Sequence, residues 1–230
     1  MCLLLKFFIF GIIFIQTASA QTVSSYLPAK IAPKEKYLFY LHGAVVTLYG
    51  NNAVNDAAPE WGPYEYANIL DSLKQYGFNI ISENRKKEIP DSFYTEQLRL
   101  QVDSLLAARV PVRNITVVGA SSGWDIALRA SARIKHPKLK FVLLGGCWPN
   151  TYKDYSGIKL YGRFLSIIEK SDPHGSCTAI FTNRENIKEF RELVLNTGLS
   201  HGFFYKAREA WVAPVVAWAN GRKYQIPSKH

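Results

Sequence analysis

Two rhythms of hydrophobic residues alternate along this chain. Short, nearly unbroken apolar runs fall at Tyr37–Leu41 (YLFYL), Phe78–Ser82 (FNIIS), Asn114–Val118 (NITVV), Phe141–Gly145 (FVLLG), Arg163–Glu169 (RFLSIIE) and within Phe190–Asn196. Runs of that length, without a polar alternate face, predict strands covered on both sides. Between them the apolar residues return at helical spacing. Phe93, Leu98, Val102, Leu105 and Leu106 mark one face of a helix over Asp91–Arg109, with Asp91 as candidate N-cap. Further helices are predicted up to Tyr76, over Ser122–Lys135 and over Arg208–Asn220. Strands alternating with helices imply a parallel sheet with helices on both faces. No repeat or low-complexity tract divides the pattern, so a single domain is expected. The loops His42–Pro59 and Cys147–Gly162 are long enough to drape over a site but too short to form a large cap domain.

The first 20 residues stand outside that pattern. MCLLLKFFIFGIIFIQTASA has a lysine, a short apolar run and an Ala18-Ser19-Ala20 ending, the pattern of a cleaved signal peptide. The apolar run Phe7–Ile15 is short for a membrane span. The expectation is a signal peptide over 1–20, a polar lead-in over 21–36 with a short edge strand, and a folded domain over 37–225. The mature protein would be secreted or periplasmic, with no stable membrane insertion after cleavage. Loss of the leader removes Cys2 and leaves Cys147 and Cys177, a candidate disulfide in an oxidising compartment; two buried free thiols are the alternative.

Composition adds limits. With 48% hydrophobic and 20% charged residues the chain is an ordinary globular protein. The net charge of +10 comes from scattered residues, among them Lys34, Lys36, Arg85, Lys86, Lys87, Lys138 and Lys140, read as a solvated surface that favours anionic envelope surfaces. No nucleic-acid-binding motif accompanies it, and no nucleic-acid partner is expected. Nothing in the sequence specifies an oligomer.

Gly119-Ala120-Ser121-Ser122-Gly123 lies between the predicted strand NITVV and the helix that follows. G-x-S-x-G in a strand-turn-helix context presents its central serine at the tip of a sharp bend, where bulky neighbours would clash. Upstream, the strand YLFYL ends in His42-Gly43; downstream come an acid and then a histidine. Together with the phrases FVLLGGC, SIIEKSD and GLSHGF, these features resemble the α/β-hydrolase superfamily over roughly Tyr37 to Asn220, and more narrowly a group of exported bacterial serine hydrolases of uncharacterised function. The resemblance implies a single-domain α/β-hydrolase fold, with a mostly parallel central sheet and no large cap domain.

It also orders the candidate site. Ser121 is the nucleophile, and a serine hydroxyl needs a base to take its proton. His201, in the glycine-flanked loop Gly198–Phe203 after the last predicted strand, stands where this superfamily carries its base. His136 and His230 are read as structural or solvated, as is His174 beside the candidate acid, and His42 as a brace for its own turn. Asp172, after RFLSIIE, is the orienting acid, giving the Ser, Asp, His order of the superfamily. Glu169 is the competitor and Asp154 a distant third. Oxyanion donors are expected from the backbone N–H of Ser122 and from Ala44, with Gly43 second. Trp124 and Trp148 are the candidate substrate-binding aromatics, beside a wider supply in Tyr49, Trp61 and Tyr64.

These residues point to a serine hydrolase that cleaves an ester or related acyl bond of a small molecule through an acyl-enzyme, with no metal and no organic cofactor. The alternatives are a non-catalytic envelope-associated binding protein on the same fold, or a peptidase or acyltransferase.

Overall fold

A computed structural model describes residues 21–148, 151–182 and 184–224; the leader expected over 1–20 lies outside them. The apolar runs form one seven-stranded sheet. Its strands are β1 (Val23–Ser24), β2 (Lys36–Leu41), β3 (Phe78–Ile81), β4 (Ile115–Ala120), β5 (Lys140–Leu144), β6 (Gly162–Glu169) and β7 (Ile187–Leu195). Every neighbouring pair is parallel, in the order β1-β3-β2-β4-β5-β6-β7. The helices are α1 (Ala44–Tyr49), α2 (Tyr66–Gln75), α3 (Asp91–Ala107), α4 (Gly123–Ile134), α5 (Thr151–Asp154), α6 (Thr178–Phe181) and α7 (Glu209–Ala219).

Because successive strand residues point to opposite faces, each run feeds two cores. Leu38, Tyr40, Val118, Ala120, Val142 and Leu144 pack against Ile69 and Leu73 of α2 and Trp211 and Val215 of α7. Their immediate neighbours Tyr37, Phe39, Val117, Phe141 and Leu143 face the other way, onto Leu98 and Val102 of α3 and Ala127 and Leu128 of α4. Burying each such side chain contributes about 1.5–3 kcal/mol. This is the single-domain architecture that the alternation implies, and no separate cap domain is present among the described residues. No helix among them is long and apolar enough to cross a membrane.

Two details differ from the sequence pattern. Asp91 does not cap α3: Pro90 occupies the N-cap position, and Asp91 is the first helical residue with its carboxylate on Arg85 at 3.1 Å. The stretch after His42 is not all loop, because α1 begins at Ala44. The lead-in does supply an edge strand, β1, paired with β3.

Cys147 and Cys177 form a disulfide with a Cα–Cα distance of 5.0 Å. It staples the segment after β5 to the segment after β6. In the chain-entropy account, closing a loop of this size is worth about 3–4 kcal/mol.

The bend from β4 into α4 is the tightest part of the fold. Ser121 takes φ +47°, a left-handed conformation that costs a non-glycine residue on the order of 1–2 kcal/mol. It survives because Gly119 and Gly123, two positions to either side, have no side chain. A Cβ on Gly119 would lie 2.5 Å from the carbonyl oxygen of Gly123 and 2.7 Å from Trp124 Cα, and one on Gly123 would collide with the backbone of Leu41 in β2. Gly123→Ala is therefore expected to lower the unfolding free energy by about 1–3 kcal/mol or more through overpacking, with a matching fall in the urea midpoint; an unchanged midpoint would show that β2 and α4 can part without cost.

Candidate active site

The candidate site residues gather at the carboxyl ends of the strands. Chain direction across the sheet reverses between β2 and β4: β2 leads outward to β3, whereas β4 leads the other way to β5, β6 and β7. Open parallel sheets bind ligands in the crevice at such a switch point. Ser121 follows β4, Gly43 follows β2, Asp172 follows β6, and His201 sits in a 3₁₀ turn, Ser200–Phe204, after β7.

Ser121, His201 and Asp172, far apart in sequence, form a continuous chain of hydrogen bonds. Ser121 Oγ lies 3.0 Å from His201 Nε2. His201 Nδ1 lies 2.7 Å from Asp172 Oδ2. With Nδ1–H donating to the carboxylate, Nε2 is left as the acceptor for the serine hydroxyl. Asp172 and His201 are both 7% exposed. Burial alone would raise the Asp172 carboxyl, but the hydrogen bond and charge of His201, with the His174 backbone N–H donating to Oδ1 at 3.0 Å, outweigh it and hold the group below the usual aspartate value. The carboxylate is thus charged where an imidazolium would need it.

Glu169 does different work. Its carboxylate accepts from the Thr197 amide at 3.0 and 3.1 Å and from the Thr197 hydroxyl at 2.7 Å, tying down the turn that leads to His201. It has no contact with the imidazole. Asp154 is exposed at the end of α5.

Ser122 occupies the N-cap position of α4, and Gly43 and Ala44 begin the turn into α1. The first N–H groups of a helix lack intrahelical acceptors, which makes the Ser122 and Ala44 amides candidates to meet an oxyanion, whereas the Gly43 amide faces the Tyr64 hydroxyl. His42 braces that turn. Its Nδ1 bonds to the Gly43 carbonyl at 2.9 Å and its Nε2 accepts from the Arg85 amide at 3.0 Å. Desolvation, with the Arg85 charge second, pushes its pKa down to about 3, so the ring is neutral.

A cavity of about 270 Å³ opens beside Ser121 and His201. Leu48, Tyr49, Trp61, Tyr64, Phe204 and Tyr205 line it, with Asn55 contributing an amide and Gly43 and Ala44 at its floor. Trp124 and Trp148 are not among the lining residues. Trp124 is 1% exposed and belongs to the core on the other sheet face, against Tyr155. Trp148 packs edge-on against Trp124 and against the His174 ring. Trp61 takes the place expected for them, 5.7 Å from the His201 ring.

Two neighbours of these residues are placed by the fold and not by sequence reasoning. His174 lines the cavity with its ring 4.5 Å from that of His201; desolvation, and then the charge of His201, lower its pKa. Arg85, one of the scattered cations, is not solvated at all but 4% exposed. The donor atoms of Asp172, His174 and His201 lie within 4.8 Å of one another, a set that would fit a metal ion. Asp172 and His201 already use theirs on each other, which fits proton transfer.

No protein-family model matches the sequence, and no curated protein matches it either. Solved structures do share its backbone course. A hydrolase from Thermoplasma acidophilum described as CIB-like superposes with a TM-score of 0.52 at 14% identity, over 83% of this chain and 89% of its own. A cold-adapted esterase from an Arctic intertidal metagenomic library gives 0.51 at 14% identity, over 83% and 84% of the two chains. A lidless α/β serine hydrolase from Xanthomonas campestris gives 0.48 at 13% identity, over 90% and 83%. The chain has an α/β-hydrolase fold.

The neutral His42 ring makes stability depend on pH with a defined sign. Unfolded, the imidazole binds a proton below about pH 6.5, whereas the folded ring stays neutral down to about 3. Its contribution is complete above the unfolded value and is lost as pH falls. Between about pH 6.5 and 4.5, above the carboxylate range, unfolding free energy should fall by up to about 1.4 kcal/mol per pH unit, with His174 adding in the same direction. Urea titrations of wild type and His42→Gln should show a shallower pH slope in the variant.

Proposed function

We propose that this chain is an exported serine hydrolase that cleaves an ester or related acyl bond of a small uncharged substrate. One observation carries the reading: the unbroken path from Ser121 Oγ through the His201 imidazole to the Asp172 carboxylate, at 3.0 and 2.7 Å, opening on a cavity. Nε2 takes the hydroxyl proton as Ser121 Oγ attacks the carbonyl carbon, and the carbonyl oxygen gains the negative charge. The amides of Ser122 and of Gly43 or Ala44 receive that oxyanion. The imidazolium returns the proton to the departing alkoxide, leaving an acyl group on Ser121. Water then enters, gives its proton to His201 and its oxygen to the acyl carbon, and Ser121 recovers its hydrogen.

The walls support the substrate class. Among the described residues no Lys, Arg, Asp or Glu lines the cavity, so a charged acyl group would meet no opposite fixed charge there. Aromatic faces from Trp61 and Tyr64 suit a short acyl chain or an aryl group. Export is supported by the leader pattern and by the Cys147–Cys177 disulfide, a bond that persists in oxidising compartments.

A fluorophosphonate should label the wild type and fail to label Ser121→Ala. Asp172→Asn, which leaves His201 without its anion and in the wrong tautomer, should lower kcat on a short p-nitrophenyl ester about 10⁴-fold. Labelling that persists in Ser121→Ala would overturn the assignment, and a wild type inert to both reagents would favour a binding protein on the same fold.

A further inference from the structure

Arg85 lies in the segment after β3, and its guanidinium touches both turns that carry the candidate oxyanion donors. Resting on the serine-hydrolase reading above, we propose that Arg85 is a positioning residue for the oxyanion hole. It locks the His42–Gly43 peptide and Ser122 against each other, and its buried charge favours the transition state over the bound substrate.

The contacts are specific. Nη2 donates to the carbonyl oxygen of His42 and, at 3.1 Å, to Ser122 Oγ. The His42 carbonyl and the Gly43 N–H belong to one planar peptide unit, so holding the oxygen fixes that unit, whose N–H faces the cavity-lining Tyr64 hydroxyl, and with it the path of the chain into the Ala44 amide. The Arg85 amide adds a second tie to the same turn through His42 Nε2 at 3.0 Å. Ser122, gripped by its hydroxyl, carries the other donor on its own backbone. One nitrogen, Nη2, therefore bridges two turns that come from different strands, β2 and β4, while Nη1 anchors the group on Asp91. A lysine ammonium can meet the same two acceptors from one nitrogen but lacks the second arm that anchors the group on Asp91.

The charge is also incompletely answered. Nη1 reaches Asp91 Oδ1 at 3.1 Å, but the Asp91 side chain is 51% exposed against 4% for Arg85, so water screens the partner and not the cation. Arg85 Nε has no hydrogen-bond partner. Burial lowers the Arg85 pKa, which is the cost of holding a cation there, although a guanidinium remains protonated. An anion that forms at the amides it holds relieves that cost. The neutral substrate does not, so the gain is confined to the transition state.

The test compares wild type, Arg85→Gln and Arg85→Lys on p-nitrophenyl butyrate, together with binding of a trifluoromethyl ketone that forms an oxyanion on Ser121. Arg85→Gln should lower kcat about 10- to 100-fold, the range seen when a supporting partner is removed, while KM moves less than about threefold. Affinity for the ketone should fall in parallel with kcat/KM, and Arg85→Lys should recover part of both. A structural role alone would lower the melting temperature and leave kcat and ketone affinity of the folded protein unchanged, which would overturn the proposal. Should Arg85→Gln not fold, Arg85→Lys and Ser122→Ala, which deletes the hydroxyl but keeps the amide, carry the same comparison, with a smaller loss of kcat expected in each. Failure of the underlying reading looks different. Wild type that neither turns over ester nor reacts with fluorophosphonate removes the hydrolase assignment and this proposal with it, whereas an active wild type with an equally active Arg85→Gln removes only the role of Arg85.

Discussion

The closeness of β2, β4 and α4 at one bend is the constraint on which the rest of the molecule depends. Carbonyl, Cα and Cβ atoms of three elements meet where Gly119 and Gly123 have no side chains, and any methyl there would drive Leu41 or Trp124 away. Ser121 is lifted above the sheet by that crowding, at φ +47°. The same crowding sets the distance between the donor turn after β2 and the start of α4. A loosely packed junction would leave the serine and the two turns free to drift, and geometry accurate to a fraction of an ångström is what the proposed acyl transfer requires.

Around this bend the buried polar groups divide the work by position, and chemistry follows from what each one faces. Two carboxylates lie close together along the chain after β6, yet Asp172 meets the imidazole while Glu169 is spent on Thr197. His42 and His201 lie at the same edge of the sheet, and only His201 sees a carboxylate. His42 instead is held neutral by burial and then by the Arg85 charge, and serves as a brace. The disulfide belongs to the same scheme, since it ties the segment bearing Trp148 to the one that continues from Asp172 and His174.

Several features were legible from residues alone because their causes are local. An unbroken apolar run such as YLFYL or FVLLG has two covered faces whatever it packs against, and alternation with helices then leaves a parallel sheet as the low-energy arrangement. The glycines beside Ser121 announce a bend for steric reasons confined to five residues. Other features have no local cause. Arg85 begins a run with Lys86 and Lys87 and reads as solvated, but the carbonyl of His42 and the hydroxyl of Ser122 draw it inside. α1 hides in a glycine- and asparagine-rich stretch, being too short for periodicity to reveal.

The sequence by itself determined the alternation of elements, the strained turn at Ser121 and the order in which serine, acid and histidine appear, because backbone sterics and hydrophobic period act over a few residues. Tertiary structure alone decided which groups meet. Trp124 turns into the core and Trp61 reaches the cavity, although both are tryptophans near the carboxyl edge of the sheet. Which face a side chain joins, and which distant loop lies above it, follows from the twist and register of seven strands together. No short stretch of chain contains that information, since each contact is made with residues tens of positions away.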